Sequence, residues 1–254
     1  MCIERAGCMS CRVIEITEVA SSDVWMMRER NGKRRMGVKL KVWGDYALFT
    51  RPELKTERYT YDVMTPSVAR GILESIYWHP GLRWYVDKIH VLNPIATTSV
   101  RRNELLSKIP KSNMLQAYNG GDVKLYNSSR DDIIQRASVI LRDVCYVIEA
   151  HFEMTGKASP TDSPAKFISI FNNRARKGAC YSMPYFGVRE FPAHFELCEG
   201  DEKIPSYYKG LPDKDLGLML YDLDYSCGRD IQPMYYHAIM KNGVIDVGNS
   251  EVLR

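Results

Sequence analysis

Met36-Gly37-Val38-Lys39-Leu40-Lys41-Val42 is the stretch from which the rest of the chain can be ordered. Val38, Leu40 and Val42 alternate with two lysines, as expected of a strand with one face buried and one face wet. The segment before it is of another kind. Residues 1–35 are rich in Arg and Glu, alternate weakly over Arg12–Val19 and end in a polar, charged run from Asn31 to Arg35. They are expected to be an N-terminal extension outside the core, either an upstream segment or the result of a start codon placed too early, with function residing after Met36. Downstream comes a long loop from Gly44 to Met64, dense in Tyr, Arg and Lys. Thr65-Pro66 then supplies an N-cap and a proline at the first helical position. Val68, Ala69, Ile72, Leu73 and Ile76 share one face opposite Arg70 and Glu74, predicting an amphipathic helix over 66–78 that Pro80-Gly81 stops.

Trp84 to Leu92 reads as the next strand, and residues 93–128 as polar and irregular with a loop tip at Asn119-Gly120-Gly121. The pattern from Gln135 to Met154 is ambiguous between helix and strand. Tyr146-Val147-Ile148 and Phe152 suit a sheet, so two strands turning near Arg142-Asp143 are expected. Ser163-Pro164 opens a second helix that Gly178 closes. Its apolar stripe is Ile168, Phe171 and Ala175, and Lys166, Asn173 and Lys177 lie on the opposite edge. Val188–Leu197, Leu216–Tyr225 and Tyr235–Val247 read as strands, the last folded at an Asn242-Gly243 hairpin turn. This order makes an α+β chain. It fits a ferredoxin-like (RRM-like) domain over 36–180 followed by a C-terminal antiparallel β-sheet over 181–254.

The chain has 254 residues, 45% of them hydrophobic and 26% charged, enough for one large core or two small ones. No apolar run reaches 18 residues and no basic n-region precedes an apolar segment, which points to a cytoplasmic protein without a membrane partner. Seven scattered cysteines, an odd number, read as reduced thiols. Cys8-Met9-Ser10-Cys11 lacks a second ligand pair at zinc-finger spacing. The net charge of +4 permits a polyanionic partner without demanding one.

Chemistry has to be sought outside the usual signatures. There is no P-loop, no GxGxxG after a strand, no HExxH and no GxSxG. The five histidines show no metal-ligand spacing, so no metal and no cofactor is expected. What remains is a loop in which Arg51, Lys55 and Arg58 are interleaved with Tyr46, Phe49, Tyr59 and Tyr61. Cations among aromatic rings suit RNA, since phosphates take the charge and unstacked bases the rings. The alternative is structural: Trp43 and Phe49 in the core, capped by Tyr46.

The run Val42-Trp43-Gly44-Asp45-Tyr46-Ala47-Leu48-Phe49-Thr50-Arg51-Pro52-Glu53 resembles the opening of the Cas-five proteins of the d type, also called the Dvulg subtype. So do Tyr61-Asp62-Val63-Met64-Thr65-Pro66-Ser67 and Gly71-Ile72-Leu73-Glu74-Ser75-Ile76-Tyr77-Trp78. The likeness continues through Ile89–Ile95, Val100–Glu104, Tyr146–Phe152 and Gly187–Pro192, covering nearly everything from Met36 to about Val247. It implies a member of the RAMP superfamily that binds the hairpin of the CRISPR repeat transcript (pre-crRNA) and cuts at its 3′ base without a metal. Attack by the 2′-OH leaves a 2′,3′-cyclic phosphate and a 5′-OH. The protein then stays on the 5′ handle of the crRNA among the other subunits of a type I-C surveillance complex.

The resemblance also implies a triad: a tyrosine after the first strand, matched to Tyr46, and an adjacent Lys-His opening the second helix. The lysine matches Lys166, and the histidine position holds Phe167, which cannot transfer a proton. Three explanations stay open. In the first, Tyr46 and Lys166 act alone, at a rate lowered by the ~10²–10⁴-fold that one general acid or base contributes. His151 or His90 can be imagined reaching the site. Or the protein is a non-catalytic crRNA-binding scaffold. Arg51, Arg101, Arg102, Arg174 and Lys177 are the expected phosphate contacts, and Arg189 with Glu190 reads as a structural pair.

Overall fold

The computed structural model describes residues 25–28, 34–54, 56–128, 130–199, 205–226 and 230–254. The strand around Val38 is longer than its alternation. β2 covers Arg34–Ala47, with Val38, Leu40 and Val42 at most 2% exposed. A short strand, β1 (Trp25–Arg28), pairs antiparallel with Arg34–Gly37. The remainder of the expected extension over residues 1–35, including the Cys8–Cys11 pair, lies outside the described residues.

The following elements are β3 (Arg58–Tyr59), α1 (Pro66–Ile76), β4 (Leu82–Val91), β5 (Thr97–Leu105), α2 (Lys111–Tyr118) and β6 (Ile133–Met154). Then come α3 (Pro164–Arg176), β7 (His194–Leu197), β8 (Lys214–Asp224), β9 (Gln232–Lys241), β10 (Val244–Asp246) and β11 (Val252–Leu253). The fold mixes helices with a strand-rich, mainly antiparallel sheet in the order β1-β2-β6-β4-β10-β9-β11. β5 and β3 join β6, β7 joins β2, and β8 joins β9; β3 is the parallel member. Among the described residues no helix is long and apolar enough to cross a membrane.

α1 starts where Pro66 fixes φ and buries Pro66, Ala69, Ile72, Leu73 and Ile76. α3 starts at the Ser163 cap, whose hydroxyl accepts the Lys166 N–H at 3.2 Å, and buries Phe167, Ile168, Phe171, Asn172 and Ala175. Both helices share one core with Leu40, Val42, Ile89 and Ile148 of the sheet. The Asn242-Gly243 turn closes β9 onto β10 with both residues at positive φ (50° and 81°), the geometry of a primed hairpin turn.

Three expectations are corrected. Residues 135–154 form no turn: β6 is one strand of 22 residues, and Asp143, at φ 53°, makes a local distortion inside it. Residues 93–128 are not irregular throughout, since they hold β5 and α2. β5 escapes recognition because none of its side chains is buried; it pairs with β6 from Thr97↔Leu141 to Leu105↔Ile133. The strand predicted over 188–197 shrinks to β7, because the chain turns at Gly187 and Phe191 N–H closes onto Val188 O at 3.0 Å.

Candidate active site

α3 presents its first turn beside the end of α1. Lys166 lies in that turn, and its ammonium pairs with Asp162 Oδ1 at 2.8 Å. Asp162 is held from its other oxygen by the Ser159 N–H at 2.9 Å. The hydrogen bond raises the Lys166 ammonium above the ordinary lysine range, and the same bond lowers the Asp162 carboxyl. Lys166 is therefore a fixed cation with 47% of its side chain exposed, open to an anion from solvent.

Phe167, the next residue, turns inward and is 1% exposed. Its ring meets those of Tyr77 at 6.0 Å, His79 at 5.0 Å and Phe152 at 6.2 Å. Tyr77 ends α1, its N–H bonded to Leu73 O at 3.0 Å and its carbonyl accepting the Trp84 indole N–H at 3.2 Å. Arg174 stacks its guanidinium 5.1 Å over the Tyr77 ring and donates to Ile76 O at 2.8 Å. Burial pushes the Tyr77 phenol above its ordinary value, and the nearby charges of Lys166 and Arg174 pull the other way without overcoming it. The phenol is thus protonated at neutral pH. Tyr77, Lys166 and Arg174 together offer one neutral donor and two cations around a nonpolar floor, an arrangement able to hold a phosphodiester and stabilise added negative charge.

The sequence-based pairing of Tyr46 with Lys166 is not what the structure brings together. Tyr46 lies at the far end of β2, opposite Arg142 of β6, is 45% exposed, and has its ring 5.8 Å from Phe191. Lys166 belongs with Phe167, which touches Phe152 of the same strand. Ten strand residues, from Arg142 to Phe152, span about 30 Å at ~3.3 Å each. The register of β2 on β6, fixed by the buried Val38-Leu40-Val42 face, carries Tyr46 away from α3.

The other expected contacts divide between these two ends. Arg174 joins the Lys166 cluster, and Lys177 is the C-cap of the same helix. Arg51 lies 4.7 Å over the Tyr61 ring and 3.9 Å from Glu53. Arg101 and Arg102 sit on β5, where Arg102 pairs with Glu190, so Glu190 is taken by a partner other than the expected Arg189. His151 and His90 are on the wrong face. Phe152 points toward α3, so His151 beside it points away, where it meets Asp87 at 2.8 Å and stacks on Tyr85 at 5.4 Å. His90 alternates with the buried Ile89 and Val91 and meets Glu149 at 3.1 Å.

Sequence reasoning missed Tyr77 and His79. The available signal was the punctuation Tyr77-Trp78-His79-Pro80-Gly81, polar-tipped rings at the abrupt end of an amphipathic helix.

Residues 37–248 match the family model Cas_Cas5d, described as CRISPR-associated protein (Cas_Cas5). The chain is 49% identical over 213 residues to a protein of Mannheimia succiniciproducens named CRISPR pre-crRNA endoribonuclease Cas5d, covering 83% of this chain and 94% of that one. It is 36% identical over 227 residues to a protein of the same name from Thermus thermophilus, covering 83% and 90%. A solved structure described as a CRISPR-associated protein superposes with a TM-score of 0.62 at 25% identity, over 91% of this chain and 100% of the other.

Proposed function

This chain belongs to the Cas5d family of CRISPR-associated proteins, and on that premise we propose that it is a metal-independent endoribonuclease processing CRISPR repeat transcripts. The observation that carries this reading is the place of Tyr77 at the end of α1, facing Lys166 in the first turn of α3 and Arg174 in its last. In the reaction the O2′–P bond forms and the P–O5′ bond breaks, leaving a 2′,3′-cyclic phosphate and a 5′-OH. Lys166 and Arg174 neutralise the phosphate as charge builds on it. Tyr77, held protonated by burial, donates toward the departing O5′. The 2′-OH proton passes to water, since neither the phenol nor the ammonium is in a form to take it.

The same chain is read as cytoplasmic, remaining on the 5′ handle of its product as a subunit of a type I-C surveillance complex. Arg51, Arg101 and Arg102 are the proposed phosphate contacts away from the chemistry, with Tyr46 beside Arg142 at that end of the sheet, and Lys177 is a further one at the end of α3. We read β2-α1-β4-β6-α3 as a ferredoxin-like unit over residues 36–180, completed by β7 from just beyond that boundary, with the rest of residues 181–254 as the C-terminal sheet domain. The neighbour order β7-β2-β6-β4 supports this reading.

The test is incubation of labelled cognate repeat RNA with the protein in EDTA. A product ending in a cyclic phosphate is expected. Lys166→Ala and Tyr77→Phe should each slow the cut by roughly 10²-fold or more while leaving RNA affinity within a few-fold. Normal cleavage by both variants would remove the site. A second reading, a scaffold that binds repeat RNA without cutting it, is favoured by one observation: Phe167 puts a buried hydrocarbon ring beside Lys166. A shifted but intact RNA band would establish it.

A further inference from the structure

His79 stands in the same cluster but comes from a different element, the short connection in which Pro80 and Gly81 turn α1 into β4. Its ring lies 5.0 Å from Phe167 at 44° between planes. It lies within electrostatic reach of Asp162, the carboxylate that fixes Lys166. The charged or titratable groups around it are thus Tyr77 on its own segment, Asp162 before α3 and Lys166 within it.

The two ring nitrogens are not equivalent. The Gly81 N–H donates to Nδ1 at 3.1 Å, so the neutral imidazole carries its proton on Nε2. Gly81 is itself held in place. Its carbonyl accepts the Thr155 N–H at 2.9 Å, and an added Cβ would come within 2.7 Å of Ala158 Cα. The backbone therefore fixes the tautomer.

We propose that His79 is a fourth functional side chain of this site, a ring whose Nε2–H donates to the scissile phosphate. The inference rests on the endoribonuclease reading above and assigns it one more contact. A donor aimed at a phosphate oxygen strengthens as the O2′–P bond forms and charge collects there. A proton shuttle through Nε2 is a different role. It requires a ring form with the second proton on Nδ1, facing the Gly81 N–H, and the hydrogen bond at 3.1 Å would be lost. His79 thus supplies a polar hydrogen where Phe167 has none.

The experiment is single-turnover cleavage of cognate repeat RNA by the full chain across pH 6–9. His79→Ala is expected to slow the cut by roughly 10²-fold, the usual effect of losing one such donor. His79→Gln, which restores an N–H of similar reach, should recover most of it. Both should stay folded and bind RNA within a few-fold of the parent, and His79→Leu replaces Ala if Ala does not fold. Across this range the rate of the parent should climb steadily with pH, because the 2′-OH proton passes to water. Unchanged cleavage in His79→Ala, with Lys166→Ala inactive, overturns the inference and leaves the site standing. Slow cleavage in His79→Ala that His79→Gln does not recover overturns the donor role in favour of proton transfer. Normal cleavage by Lys166→Ala and Tyr77→Phe removes the underlying reading itself.

Discussion

Phe167 joins the hydrophobic core to the candidate chemistry, since its one ring supports Tyr77 and His79 and touches Phe152. Phe167→Ala should cost about 3–5 kcal/mol in denaturant unfolding, and should lower cleavage further because the two polar-tipped rings lose their floor. Phe167→His is expected to lower stability by about 1–3 kcal/mol, because a ring nitrogen at 1% exposure would have to find a buried partner. A variant as stable as the parent by urea midpoint would contradict that burial. The place of Lys166 in the first turn of its helix could be read from the sequence, because Ser163-Pro164 sets the start of that helix. The neighbours of Tyr77 could not, because the helix-end punctuation marks it only as a helix terminus; Lys166 comes beside it through a second helix docking 89 positions later (166 − 77).

At the scale of elements, local rules succeeded where side chains are buried and failed where they are not. α1 follows from Pro66 and apolar spacing, α3 from the Ser163 cap and its apolar stripe, and the β9–β10 hairpin from Asn242-Gly243. β5 has no buried residue, so its sequence carries polar and basic side chains on both faces and reads as a loop. Its place on β6 is set by backbone pairing and by ion pairs such as Glu104 with Arg58 at 3.3 Å and Arg136 at 3.6 Å. These pairs are partly exposed, and Glu104→Ala should shift stability by only about 0–1 kcal/mol. Gly187 is the opposite case. Its φ is 82°, and a Cβ there would lie 2.0 Å from the Leu48 carbonyl oxygen. Gly187→Ala should therefore separate the turn after Tyr185 from the end of β2, read as loss of hydrogen-exchange protection at the Leu48 N–H, which bonds Phe186 O at 3.1 Å.

Over the whole molecule, Arg70 ties α1 to the last third of the chain through two bonds to Asp222 of β8, at 3.0 and 2.9 Å, and one to Glu74 at 2.7 Å. Burial alone would lower its guanidinium, but the hydrogen bonds and charges of Asp222 and Glu74 raise it above the ordinary range. Arg70→Ala should cost about 1–3 kcal/mol and make β8 and β9 the first strands to lose exchange protection. Glu149 behaves similarly on the opposite face of the sheet. Burial tends to raise its carboxyl, yet the His90 hydrogen bond and the charges of His90 and Lys39 hold it below the ordinary value. A depressed folded value stabilises above the unfolded carboxylate range and is lost as pH falls through the folded one. Acid unfolding of Glu149→Gln should accordingly be less steep below about pH 4 than that of the parent. The sequence by itself determined the mixed α and β class, the two main helices, their buried faces and the lysine at the head of the second, because caps and periodicities act over a few residues. Only the tertiary structure decided that Tyr77 and His79 rather than Tyr46 stand beside that lysine, because strand order and register, not local pattern, set which distant residues share an end of the sheet.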